Sequence, residues 1–179
     1  MRNVLIGSIV ILLVISCSSV REDNPIPGDE KQYPDQESWN AVITLTKEGI
    51  KRALVNAGHL TKNNDEARIV LDEDVDVDFF DENQRYLSHL KSLRAQVNER
   101  TNDLFAQGNV VVVSDSGVTL QTEELHWDHQ RERIFSNVFV TFITESDTLT
   151  GIGFESDSDL KNWIIEKPSG VTNREFKEK

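Results

Sequence analysis

A single cysteine in 179 residues excludes any disulfide within the chain. Four prolines and nine glycines are too few for a fibrous or low-complexity protein. Cations are scarce: 19 Lys and Arg face 31 Asp and Glu, a formal charge of −12. That balance excludes nucleic acid as a partner, because phosphates need a basic surface. It also excludes a polybasic grip on anionic headgroups. An anionic lipid could be held only through its apolar part. No apolar run reaches the ~20 residues that span a bilayer as a helix. A Gly-rich phosphate loop, a nucleophile elbow and a Cys–His pair are all missing, so the chain reads as a non-enzyme with no cofactor. At 37% hydrophobic residues, the apolar side chains must be concentrated on one face of each element. The length suits one domain.

What is present begins with a segregated N-terminus. One cation, Arg2, precedes an almost wholly apolar stretch over residues 4–15, the pattern of an export signal. It ends Val14-Ile15-Ser16-Cys17, which is similar to the bacterial lipobox. That resemblance implies cleavage after residue 16 and acylation of Cys17 as the membrane anchor. Two or three acyl chains hold stably where one is marginal. Residues 17–37 are polar and contain three of the four prolines, and are expected to be a tether. A domain is expected over 38–168, with a polar tail over 169–179.

The domain carries a period of two. Trp39, Ala41, Ile43 and Leu45 alternate with polar residues and Val42, and Ala67, Ile69 and Leu71 repeat the pattern. Val75, Val77 and Phe79 alternate with Asp74, Asp76 and Asp78, which a strand places together on a wet face. Turn residues arrive every 8–12 positions, so an all-β antiparallel fold is expected. Residues 87–97 are ambiguous. Leu87, Leu90, Leu93 and Val97 are spaced 3, 3 and 4 apart as in a helix, while the repeat described next favours a strand.

Residues 109–134 can be laid over residues 137–163, each reading strand, turn, strand, apolar pair, turn, strand. A weaker copy starts near Leu93. Such a period suggests stacked supersecondary units with one shared core. The run GNVVVVSDSGVTLQTEELHWDHQRERIFSN, the later DTLTGIGFESD and the closing W-I-I-x-K-P-x-G resemble the LptC family, the periplasmic component of the lipopolysaccharide-export ABC transporter. The related bridge protein LptA shares such OstA-like repeats. The resemblance implies a twisted, partly open antiparallel β-jelly-roll, two sheets in a V, in a single domain. It implies that lipopolysaccharide acyl chains pass along the interior, received from the inner-membrane ABC transporter subunits and handed to an LptA-like periplasmic bridge. The family pattern has an uncleaved transmembrane helix where this chain has a lipobox. The role places the anchor at the periplasmic face of the inner membrane, although Ser18 after the cysteine points to the outer membrane under one sorting rule.

Candidate groove residues are Phe79, Val111, Val113, Leu120, Phe139 and Phe142. The four-valine run at residues 110–113 is apolar on both faces and suits a buried core strand equally well. Gly151 and Gly153 are candidate edge or partner-docking positions by the resemblance, or else bulge glycines. His126-x-x-His129 lacks a third ligand and gives no metal site, and the acidic pairs are expected by chance in so acidic a chain. The competing functions are an envelope scaffold and a glycan-binding jelly roll.

Overall fold

The computed structural model describes residues 33–169. The export signal, Cys17, the tail from residue 170 and most of the expected tether lie outside the described residues. Among these, nine strands form one antiparallel sheet in sequence order: β1 Gln36–Lys47, β2 Ile50–Asn63, β3 Arg68–Phe80, β4 Tyr86–Asn98, β5 Leu104–Ser114, β6 Thr119–Asp128, β7 Arg133–Ile143, β8 Thr148–Asp157 and β9 Trp163–Pro168. β1 thus starts just inside the stretch expected as tether. Residues 87–97 belong to a strand, β4.

Apart from β9, the strands are 10–14 residues long, about twice the usual five or six. Each long strand serves two walls. The pairing register shifts once near the middle of every pair from β2–β3 to β7–β8. The shifts fall at Asn56/His59, Asp72/Val75, Lys91/Arg94, Gln107/Val110, Thr122/His126 and Ser136/Phe139, positions that neighbour one another across the sheet. A bulge bends its strand and sharpens the local twist. A line of bulges therefore creases the whole sheet. Glu73, Asp74, Gly108, Asn109 and Gly153 sit on this line with left-handed backbone.

The crease folds the sheet onto itself. Phe79 of β3 meets Trp127 of β6 at 5.2 Å between ring centroids, and Phe142 of β7 meets Trp163 of β9 at 4.7 Å. The Ser88 hydroxyl donates to the Ser158 carbonyl, and Lys47 Nζ lies 3.0 Å from Glu132 Oε1. None of these pairs are neighbours along the sheet. The expected all-β jelly roll is therefore present, with its two walls made by the two halves of one continuous sheet.

Between the walls lies a single core. Leu90, Val112, Leu120 and Phe142 line one half, and Leu71, Leu104, Ile134 and Phe154 the other, all at most 2% exposed. Burying each such side chain contributes roughly 1.5–3 kcal/mol.

Candidate functional site

The inner face of the creased sheet is the surface on which the sequence placed its function. Alternation within each half-strand decides which residues reach it. Phe79, Leu120 and Phe142 do, and none is more than 1% exposed. Val111, Val113 and Phe139 do not. Val110 and Val112 take the inner positions of β5, so Val111 and Val113 point outward. Phe139 is 54% exposed and pairs with Ile152, also exposed, on the outside of β7 and β8. The six candidates thus divide between two faces. The inner three are sealed by contact between the walls, so an entering chain must first part them.

Gly151 and Gly153 lie in β8, which is paired on both sides, to β7 and to β9. They offer no free edge, and the open edges of the described sheet are β1 and β9. A Cβ on Gly151 would lie 2.4 Å from Ile165 Cγ2 and 2.6 Å from the Lys167 carbonyl. Gly153 has a φ of +81° and carries the Glu166 side chain over it. Both glycines let the last strand lie close.

Across β1 to β4 the outer face carries polar clamps. His89 contacts Asp76 through Nε2 and Asp78 through Nδ1, each at 2.8 Å. Two of the aspartates of the wet row are thereby engaged, while Asp74 stands on the bulge. His59 reaches Glu37 on β1 at 2.9 Å and Asp72 on β3 at 2.8 Å, tying three strands together. The hydrogen bonds to Glu37 and Asp72 raise its pKa above the ordinary imidazole value. Trp39 packs beside it at 5.5 Å and points outward, away from Ala41, because Asn40 adopts a left-handed conformation between them. His126 stacks between Phe105 and Phe135, at 4.3 and 4.8 Å, and loss of solvent lowers its pKa. His129 lies at the end of β6 against Trp127, at 5.2 Å, so the two histidines are not brought together.

A third feature was not anticipated. At one mouth of the interior, Arg52 of β2, Trp127 of β6 and Glu132 border a cavity of about 490 Å³. Arg52 Nε lies 3.3 Å from Glu132 Oε1, which also meets Lys47. Arg52 Nη1 and the Trp127 indole N–H have no acceptor among the described residues. Alternation after Leu125 places Trp127 inward, but nothing local marks Arg52, whose partner is eighty residues away.

A creased jelly roll with a largely apolar interior and two open edge strands defines the class: a single-sheet β-domain whose apolar face is folded inward. The chain belongs to the LptC-related family of lipopolysaccharide assembly, which it matches over residues 7–165. Membership carries a part in lipopolysaccharide transport, with transporter partners and a periplasmic, inner-membrane-associated place, in a family of transport proteins and not of enzymes. A comparison with curated proteins gives no match.

Proposed function

We propose that this chain is the acyl-anchored receiver of lipopolysaccharide, held at the inner membrane through Cys17. It takes the lipid from the ABC transporter and passes it between its walls to an LptA-like bridge. The observation that carries this reading is the apolar inner face, continuous from β1 to β8 across a single sheet. Each acyl CH₂ transferred onto such a face gains about 0.8 kcal/mol, and the acidic surface contributes nothing to the attraction. Phe79, Leu120 and Phe142 are the contact residues. The walls pack through one apolar core, so the lipid's acyl chains must replace some of those contacts as the walls part and reclose behind it. The edges β1 and β9 present unpaired backbone groups, suited to joining neighbouring sheets by strand addition.

Photo-crosslinking in cells tests this directly. A photoreactive residue at Phe79 is expected to capture lipopolysaccharide, and the same residue at outward Asp76 or Val111 is not. Equal capture from all three positions would remove the inner face as the path. Cys17→Ala is expected to lose palmitate labelling, and continued labelling would remove the anchor.

A further inference from the structure

We infer that the cleft beside the Phe105–His126–Phe135 stack, on the outer face of the sheet, is a binding site for a neutral glycan that carries acetamido groups. Gln96, Phe105, His126 and Phe135 oppose one another in register across β4 to β7. Their chain neighbours Leu104 and Ile134 are buried in the core, so alternation turns this row outward. The cleft beside the row holds about 310 Å³, within the roughly 300–1,000 Å³ of small-molecule sites and large enough for a sugar ring. Arg68, Asn98, Asp103 and Asp128 complete its polar lining.

The three rings are held as one rigid plate. His126 lies 4.3 Å from Phe105 at 18° and 4.8 Å from Phe135 at 7°. His126 covers one face of Phe105, and the other is turned toward β4, where Gln96 and Arg68 line the cleft. That face suits the C–H side of a pyranose or an acetamido methyl group. Neither ring nitrogen of His126 has a hydrogen-bond partner among the described residues, and both stay open to solvent. Loss of solvent lowers its pKa, so the ring is neutral, with one nitrogen donating and the other accepting. Gln96 accepts from Arg68 Nη1 at 3.2 Å, and Asn98 accepts from the Arg100 and Thr101 N–H groups. Both carboxamide oxygens are thus engaged while both NH₂ groups keep donors to offer. Asp103 takes the His129 N–H on Oδ1 and keeps Oδ2 as an acceptor. An acetamido group brings an N–H, a carbonyl and a methyl, which match this set of acceptors, donors and ring face.

Charge selects against ionic ligands. Glu66, Asp103 and Asp128 outnumber Arg68, and Arg68 is already paired with Glu66. A phosphate or carboxylate would meet surplus negative charge and no free cation, and like charges across a site repel. Asp128 already has Arg131 beside it, at 3.9 Å, which leaves less for an incoming cation. A neutral ligand with both donors and acceptors meets neither obstacle. The cleft lies on the opposite side of the sheet from Phe79, Leu120 and Phe142, so it stands independently of the lipid path proposed above.

The full chain in detergent is titrated with three trisaccharides: N,N′,N″-triacetylchitotriose, its cationic deacetylated form, and maltotriose, which lacks acetamido groups. The His126 ring C–H resonances are expected to move with the first. His126→Phe keeps the stack and removes both nitrogens, and is expected to weaken triacetylchitotriose about five- to tenfold. Gln96→Met keeps the length of the side chain, removes the carboxamide, and is expected to weaken binding by a similar factor. Glu123→Gln, on the outer face but not in the cleft lining, is expected to leave binding unchanged. Unmoved His126 resonances, or full affinity in both cleft variants, would overturn the site. A deacetylated trisaccharide that binds as tightly would assign the cleft to cations and overturn the neutral ligand. Maltotriose binding as tightly as triacetylchitotriose would overturn the acetamido assignment.

Discussion

Phe139 and Phe142 differ by three positions and by almost everything else. Phe142 is fully buried against Phe154 and Trp163, while Phe139 is more than half exposed. Phe142→Ala is expected to cost about 3–5 kcal/mol, through lost transfer energy and the cavity left behind. Phe139→Ala is expected to stay within about 0.5 kcal/mol. Urea denaturation of the two variants measures both, and equal losses would contradict the assigned faces. His59 gives a pH dependence. Its two ring nitrogens face carboxylates, which only accept hydrogen bonds, so both nitrogens donate and the ring is protonated. Its pKa is raised by Glu37 and then Asp72, so the clamp contributes fully below about pH 6.5, the unperturbed value. That contribution is lost as the pH rises through the higher value of the folded state. Hydrogen-exchange protection of β1 amides, corrected for intrinsic rates, is expected to fall across that rise, and His59→Gln to abolish the trend. Protection that stays constant with pH would count against the clamp.

At the scale of elements, the bulge explains what the sequence pattern concealed. The 3, 3, 4 spacing of Leu87, Leu90, Leu93 and Val97 imitates a helix. In β4 these residues do not share a face: Leu90 and Val97 are inside and Leu93 outside, and the register shift at Lys91/Arg94 inverts the alternation so that Leu90 and Ala95, an odd number of positions apart, both point inward. The repeat has the same origin, since its copies begin at the crease, near Asn109 of β5 and Asn137 of β7. The apolar pair Leu125 and Trp127 is the second half of β6, beyond its bulge, and not a separate element. β9 depends on Gly151. Gly151→Val would push β-carbon and methyl groups into Ile165 and the Lys167 carbonyl, and is expected to destabilise the domain by about 1–3 kcal/mol while exposing β9 amides first. Exchange data showing β9 as protected as before would remove this role.

For the whole molecule, the proposed lipid path requires the closed walls to part. Ser88 and Ser158 touch across the seam between the walls. A disulfide from Ser88→Cys and Ser158→Cys is expected to hold the seam shut and to block lipopolysaccharide delivery, with recovery on reduction. Normal delivery by the oxidised variant would leave the domain as a scaffold. Charge acts at this scale as well. The chain carries a formal charge of −12. An acidic body leaves apolar contact as the attraction for an anionic lipid, and lipid binding is expected to change little with added salt.

Sequence by itself determined the all-β class, the inward rows Val75, Val77 and Phe79, and the family, because alternation within a half-strand and the repeated turns are local properties of the chain. It also named Phe79, Leu120 and Phe142, which the fold brings onto one face. Only the tertiary structure decided which face of the four-valine strand is inside, that β9 covers Gly151, and that Arg52 and Trp127 meet at one mouth. A strand apolar on both sides carries no mark of inside or outside. A bulge changes the phase without changing the composition. Contacts between residues eighty positions apart exist only once the sheet has creased and its halves have closed on each other.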